Sequence, residues 1–262
     1  MSASRAFSLE RHLFNPDLYS RLVSLWFKGL HSKASAPQEE QMSRWFGLGA
    51  SETARTTFDE QCQSSFQSAL FSIGPDKLPL PAFTNVDTDR KYYPDIASPF
   101  VGQFSREDCG PENHQAALGL ILLLDQIPRN IFRNKQAIVY GHYDRISRAV
   151  FQEIYARGLD KHEQYIHSPP WRVWFYMPLM HSESIEDHLM LGREFEDLKS
   201  TAEEMKDKAA MEYMALTLGF EKKHHDLLLE FGRYPYRNKV LGRQTTAKEL
   251  DWLNFGGDTF GA

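Results

Sequence analysis

An aliphatic run that ends in a dense polar cluster constrains this chain most. Residues Ile121 to Leu124 are followed directly by Asp125, and Pro128 comes three residues later. Such aliphatic side chains are usually buried, so the run predicts a helix inside the core. Because proline disfavours a continuing helix, we expect the chain to turn at Pro128 and to bring several polar side chains together at a buried helix end. These side chains are Asp125, Gln126, Arg129, Asn130 and Arg133.

A second polar segment has the same character. The stretch from Phe231 to Arg243 follows an apolar helical stripe and again combines a proline with an Arg-Asn pair. Its candidate ligand-binding residues are Arg233, Arg237, Asn238 and Arg243. Guanidinium groups bind carboxylate and phosphate oxygens through paired hydrogen bonds, so two converging turns predict one site for an anionic ligand. The alternative is that these arginines pair with Asp125, Glu183 or helix-end carbonyls and only stabilise the fold.

A histidine and a carboxylate lie between the two polar segments. His181 and Glu183 are two residues apart and follow an aromatic stretch that begins at Trp171. They can act as a base and its orienting partner, or Glu183 can bind a cation such as an arginine side chain. Ser182 and Ser184 have an ordinary explanation as helix N-caps.

Apolar residues recur with helical spacing in nearly every segment, whereas strand-like alternation is absent. The pattern predicts an all-α protein, an irregular TPR-like helical bundle or array that forms a single domain over residues 1–262. The segment Thr201 to Glu204 has the sequence of a capping box and predicts a helix start. Residues 73–110 are rich in proline and predict a long insertion loop, either a lid over a site or a passive surface loop.

The chain resembles the domain-of-unknown-function 924 family, an all-helical TPR-like family. The resemblance covers about residues 20–253. Three long motifs carry it, namely Leu122 to Arg133, Phe175 to Glu183 and Phe231 to Arg243, together with the pairs Trp26-Phe27, Trp45-Phe46 and Phe58-Asp59. Two positions depart from the family: His188 stands where glutamine is common, and Tyr236 stands where histidine is usual.

A fungal branch of that family contains arginine-containing cyclodipeptide synthases, and the resemblance implies this activity. The enzyme would join arginine from arginyl-tRNA to the aminoacyl group of a second charged tRNA. The arginines Arg129, Arg133, Arg237 and Arg243 would hold phosphate or carboxylate oxygens. Asp125 or Glu183 would pair with the substrate guanidinium, His181 would move protons, and Asn130 or Asn238 would donate to the oxyanion.

Other patterns narrow the classes of function. The chain has no glycine-rich phosphate loop and no metal-ligand spacing, so we expect neither a cofactor nor a metal. Two cysteines, the lack of an apolar run of about 18 residues and an N-terminus without an apolar signal region predict a cytoplasmic protein without a membrane span. The oligomeric state stays open.

Charge gives a mixed indication of partners. A net charge of -5 argues against general nucleic-acid affinity, yet six basic and two acidic residues lie between Lys222 and Arg243. Two further functions therefore compete with the synthase. One is a non-enzymatic module that binds an acidic peptide or a carboxylate ligand, and the other is a small-molecule hydrolase.

Overall fold

The computed structural model describes residues 7–104 and 113–260, and within them the chain is helical without a β-strand. The all-α prediction is therefore confirmed. The α-helices in chain order are α1 (Pro16–Trp26), α2 (Glu39–Phe46), α3 (Glu52–Ser72), α4 (Val86–Asp89), α5 (Tyr93–Val101), α6 (Asn113–Ile121), α7 (Ile127–Ile131), α8 (Gln136–Ile138), α9 (Asp144–Ala156), α10 (Pro169–Arg172), α11 (Met177–Met180), α12 (Ile185–Glu204), α13 (Lys208–Phe231) and α14 (Ala247–Asn254).

Helix boundaries follow from local chemistry. Helix α1 begins where the side chain of Asn15 accepts a hydrogen bond from the amide of Leu18 at 3.1 Å, with Pro16 in the first turn. An N-cap of this type satisfies an amide that has no partner inside the helix. Helix α13 ends at Gly232, whose φ of 69° is a left-handed conformation that glycine adopts without strain.

The helices pack in pairs around one main core. Helix α12 packs on α13, α5 on α9, α1 on α6, and α3 on α7. Gly119 permits the close approach of α6 to α1, because a Cβ atom at this position would lie 2.9 Å from Cβ of Tyr19. A smaller apolar cluster centres on Leu227, Leu228 and Tyr234, beside the second polar segment. Within the described residues, no helix is both long and apolar enough to cross a bilayer.

The expectation of a long loop over residues 73–110 is wrong for a large part of that segment. It contains α4 and α5, and α5 buries Ile96, Ala97 and Phe100 against the core. Pro94 lies in the first turn of α5, where a missing amide hydrogen is tolerated, and the buried face holds the helix together despite Pro99. Residues 105–110 of this segment lie outside the described residues.

The predicted helix start at Thr201 is also wrong. Thr201 lies in the last turn of α12, where its hydroxyl donates to the carbonyl of Asp197 at 2.9 Å. Helix α13 begins after Asp207, whose side chain accepts from the amide of Ala210 at 3.1 Å. The capping-box sequence does not start a helix here, because α12 extends through it and buries Leu198 and Ala202 on its core-facing side.

Candidate functional site

A π-helical turn shapes the end of the buried helix. Helix α6 continues through residues Leu122–Gln126, and the amide of Ile127 donates to the carbonyl of Leu122, five residues earlier. The predicted turn at Pro128 is wrong, since the helical path runs on to Ile131. Pro128 falls in the first turn after the π segment, where its missing amide hydrogen is tolerated. Single π turns are frequent at functional sites.

This π turn directs a fully buried carboxylate at a histidine. Nδ1 of His181 lies 3.0 Å from Oδ1 and 2.9 Å from Oδ2 of Asp125. The side-chain amide of Gln126 also donates to Oδ2 at 2.6 Å. Burial raises the pKa of a carboxyl, but His181 and Arg129 outweigh it and hold the pKa of Asp125 below its usual value. Asp125 is therefore ionised at neutral pH.

His181 is a neutral imidazole in this setting. Burial, together with Arg129, lowers the pKa of His181 below its usual value, and Asp125 offsets this only in part. A neutral ring that donates from Nδ1 to Asp125 carries its lone pair on Nε2. Within the described residues Nε2 has no hydrogen-bond partner, and His181 lines a cavity. This is the arrangement of a general base with an orienting carboxylate.

A second π turn positions the partner of Arg129. Residues Val139–Tyr143 form this turn, and the amide of Asp144 donates to the carbonyl of Val139. The guanidinium of Arg129 donates to both carboxylate oxygens of Asp144, at 2.7 and 3.0 Å, and to the carbonyl of Asp125 at 2.6 Å. Arg129 therefore joins the two π turns and stays charged beside the dyad of Asp125 and His181 (the Asp-His dyad).

Arg237 brings a second guanidinium to His181. It is 5% exposed, and its Nη1 donates to the carbonyl of His181 at 2.9 Å. The guanidinium lies over the rings of Tyr140 and Tyr234, 4.3 and 4.7 Å from their centroids. Burial lowers the pKa of Arg237, but Tyr236, Glu183 and other nearby groups outweigh it and raise the pKa above its usual value.

No carboxylate lies within ion-pair distance of Arg237 anywhere in residues 7–104 and 113–260. A buried charge without a counter-ion is costly unless other groups or a ligand compensate it. Because Arg237 also lines the cavity, it is the best placed group in the described chain to bind an anionic ligand.

The cavity has a volume of about 790 Å³ and two chemically different ends. The polar end contains Gln126, Arg129, Asn130, Arg133, His181, His224 and Arg237. The aromatic end contains Trp26, Trp45, Phe46, Phe58 and Trp174, whose rings contact one another. Among the described residues, five arginines and one glutamate line the cavity. Three of these arginines pair with carboxylates, so the cavity's affinity for anions depends on the other two, Arg55 and Arg237. Its volume lies in the upper part of the usual range for small-molecule sites and exceeds what a single amino acid fills.

Six of the predicted site residues lie on this cavity, all of them in the polar end. The side-chain amide of Asn130 donates to the carbonyl of Gln126 at 3.2 Å, so one of its hydrogens stays available. Arg133 forms an ion pair with Asp59 at a half-exposed position. Asp125 lies directly behind His181 and does not itself line the cavity.

The other four predicted residues form a separate polar cluster. Arg243 donates to both oxygens of Glu183, at 2.6 and 2.9 Å, and the amide of Tyr234 donates to Glu183 at 2.8 Å. Arg233 pairs in the same way with Glu249, at 2.6 and 2.9 Å, and Asn238 is fully buried. These four residues do not line the cavity. The structural alternative, in which arginines pair with nearby carboxylates, describes Arg233 and Arg243 here and also Arg129 and Arg133 on the cavity. Among the predicted arginines it does not describe Arg237.

Sequence reasoning missed several groups of the site. Asp144 was overlooked because it lies within an apolar helical stripe, although an acidic residue there is a usable signal. The aromatic residues of the cavity were identified only as pairs that carry the family resemblance, and not as part of a site. His224 is buried, lines the cavity and stacks on Phe260, with 3.6 Å between the ring centroids. Burial lowers the pKa of His224 to about 3, so its ring is neutral.

Metal binding has no geometric basis in the described ranges. No group of three or more His, Cys, Asp or Glu side chains in residues 7–104 and 113–260 is arranged to hold a metal ion. His188, at one of the two unusual positions, instead contacts the hydroxyl of Tyr234 at 2.9 Å. Tyr236, at the other, lines the cavity beside Arg237.

The family described as "Bacterial protein of unknown function (DUF924)" matches residues 22–257. The chain belongs to the DUF924 family. A solved structure of a protein of unknown function from Agrobacterium tumefaciens resembles this DUF924 protein with a TM-score of 0.55 and 25% sequence identity, over 92% of this chain and 98% of that one. No curated protein matches the chain. Both matches are described as proteins of unknown function, so neither links this DUF924 protein to cyclodipeptide synthesis.

Proposed function

We propose that this DUF924 protein is an acyl-transfer enzyme that forms an arginine-containing cyclic dipeptide from two aminoacyl-tRNAs. The observation that carries the acyl-transfer part is the Asp-His dyad, which presents a neutral imidazole to a cavity lined by charged guanidinium groups. The tRNA carrier and the arginine substrate come from the resemblance to the fungal synthase branch.

The chemistry needs one base and no external energy source. Nε2 of His181 takes a proton from the amine of one aminoacyl group, and the amine nitrogen attacks the ester carbonyl of the other. A C–N bond forms, the C–O bond to the ribose breaks, and the histidine returns the proton to the ribose oxygen. Attack by the remaining amine on the remaining ester closes the ring in the same way. Two aminoacyl-tRNAs thus give one cyclic dipeptide and two free tRNAs.

Two groups at the polar end are placed to assist. Arg237 would bind a phosphate or carboxylate oxygen of the substrate, because in the described chain it has no carboxylate partner of its own. Asn130 has one amide hydrogen left for the oxyanion that forms during attack. Asn238, the other predicted oxyanion donor, lies away from the cavity and is not part of this proposal.

Recognition of the arginine side chain has a weaker structural basis. The two carboxylates predicted to bind the substrate guanidinium are already engaged, Asp125 by His181 and Glu183 by Arg243. The one acidic residue in the described chain that lines the cavity, Glu40, pairs with Arg44. The choice of arginine therefore rests on the family resemblance and not on a free carboxylate.

A non-enzymatic binding module is the second candidate. Arg237 favours it, because a buried guanidinium in an electropositive cavity is suited to the carboxylate of a peptide or metabolite. This function has no need for the Asp-His dyad. The synthase therefore requires His181 for its activity, whereas the binding module does not require it for ligand binding.

Mass spectrometry of a bacterial host that expresses the chain separates them. The synthase produces an arginine-containing diketopiperazine, and cells with His181→Gln make about 10²- to 10⁴-fold less of it. A binding module produces no new cyclic dipeptide in either strain, and this result would remove the enzymatic proposal.

A further inference from the structure

A half-exposed aromatic ring forms part of the cavity wall. Phe46, the last residue of α2, is 52% exposed and lines the aromatic end. Its ring stacks on Trp174 with 5.8 Å between centroids and 16° between planes. Trp45 packs edge-on against Trp174, and its indole N–H donates to the carbonyl of Trp26 at 2.8 Å. These contacts hold the Trp45 side chain in place in the cavity wall. Trp174 covers one face of Phe46 and Trp45 contacts the ring edge-on, yet half of the residue stays exposed and accessible to a ligand.

An arginine without an acidic partner in the described chain approaches Gly47, the residue that follows Phe46. Arg55, in the first turn of α3, is exposed and lines the same cavity. The only hydrogen bond of its guanidinium in the described chain goes to the carbonyl of Ala50 at 3.4 Å, and no carboxylate there is within ion-pair distance. The turn between Phe46 and Arg55 passes through Gly47 in a left-handed conformation, and a Cβ atom on Gly47 would lie 3.4 Å from Cδ of Arg55.

We propose that Phe46 and Arg55 form a nucleotide subsite for the 3′-terminal nucleotide of the RNA carrier. The base stacks on the exposed part of Phe46, and Arg55 binds the phosphate. This inference rests on the proposed function, which supplies an RNA carrier whose acylated end reaches His181 in the same cavity. An exposed aromatic ring near an unpaired guanidinium is the combination by which proteins hold single-stranded nucleic acids. An apolar amino-acid side chain would use the ring but would have no use for Arg55.

Fluorescence anisotropy with an uncharged RNA hairpin that ends in an unpaired CCA tests the subsite. Phe46→Leu, which keeps apolar bulk without a flat ring, is expected to weaken binding about 10-fold, whereas Phe46→Tyr keeps the affinity. Arg55→Gln is expected to weaken binding and to reduce the slope of log affinity against log salt by about 0.7 to 0.9. The controls are Phe71→Leu, at a 53% exposed ring away from the cavity, and Arg11→Gln.

The outcomes separate this subsite from the proposed reaction. Hairpin binding that is weakened by Phe46→Leu and Arg55→Gln but not by the controls supports the subsite. Wild-type affinity in both variants overturns the subsite, and so does failure of the wild type to bind the hairpin. Either of these results leaves the proposed function standing if the wild type still forms a cyclic dipeptide. A wild type that forms no cyclic dipeptide defeats the proposed function on its own account.

Discussion

Nδ1 of His181 lies 2.9 Å from Oδ2 of Asp125, although 56 residues separate the two in the chain. Asp125 comes from a π turn in the buried helix, and His181 comes directly after α11. The carboxylate fixes the ring so that Nδ1 donates and Nε2 accepts. The Asp-His dyad is thus set by the fold before any substrate binds.

The first prediction concerns the pKa of His181. Burial and Arg129 lower this pKa and Asp125 raises it, so we expect a titration midpoint below 6.5 in the wild type and a still lower one in Asp125→Asn. NMR titration of the imidazole ring measures both values. Product formation should fall about 10²- to 10⁴-fold in Asp125→Asn and in His181→Gln, because the first variant loses the carboxylate that orients the base and the second loses the base itself. A midpoint that rises in Asp125→Asn would show that the carboxylate does not face the ring.

The second prediction concerns Arg237. Since it has no carboxylate partner among the described residues and lines the cavity, Arg237→Gln should raise KM for charged tRNA about 10- to 100-fold, the size of one charge-assisted hydrogen bond. Arg233→Gln is the matched control, because Arg233 lies in the same segment but pairs with Glu249 outside the cavity. Steady-state kinetics at constant salt measures both. Equal KM values in the two variants would remove Arg237 from substrate binding.

The third prediction assigns Glu183 to stability. Glu183→Gln should lower the free energy of unfolding at pH 7 by about 1 to 3 kcal/mol, because it leaves Arg243 and the amide of Tyr234 with a weaker acceptor. Burial raises the pKa of Glu183, but Arg243 and Arg237 outweigh it and lower the pKa below 4.5. The contribution of the Glu183 carboxylate to the free energy of unfolding is therefore complete above pH 4.5. It is lost as pH falls through the folded-state pKa of Glu183.

Urea unfolding of the wild type and Glu183→Gln at several pH values measures this effect. The difference between them should shrink below pH 4.5, and product formation at pH 7 should persist in the variant. A variant as stable as the wild type that makes no product would restore Glu183 to the catalytic site.

The fourth prediction concerns the pair of Arg129 and Asp144. Asp144→Asn leaves a mostly buried guanidinium without its bidentate partner. We therefore expect the free energy of unfolding to fall by about 3 kcal/mol and Tm to fall by about 6 to 12 °C. Differential scanning calorimetry measures the change. Asp17→Asn, which breaks the exposed pair with Arg21, is the control and should cost less than about 1 kcal/mol. Similar losses in both variants would mean that Arg129 is compensated by other groups.

The helical class and the polar end of the cavity were predictable because their signals are local. Helical spacing of apolar residues identifies buried faces, and an aliphatic run that ends at Asp125 marks a buried polar position. The path of the chain at Pro128 was not predictable, because a π turn depends on one extra residue in a helix and leaves no periodic signature. An acidic residue at position 144 is a usable sequence signal, but its contact with Arg129 depends on a second π turn and was not predictable.

The division of the arginines between binding and structural roles was also beyond the sequence. Arg237 and Arg243 occur six residues apart in similar surroundings. Only tertiary packing places Glu183 against Arg243 and leaves Arg237 among tyrosines. The resemblance to a known family located the right segments, but it assigned one role to residues that the fold separates.

Incubation of the purified chain with arginyl-tRNA and a mixture of other charged tRNAs, followed by mass spectrometry, decides whether the cavity is an acyl-transfer site. We expect an arginine-containing diketopiperazine from the wild type, none after ribonuclease treatment of the tRNA, and a 10²- to 10⁴-fold lower yield from His181→Gln. A yield that His181→Gln leaves unchanged, or a product that forms from free arginine and ATP after ribonuclease treatment, is incompatible with a tRNA-dependent reaction at His181.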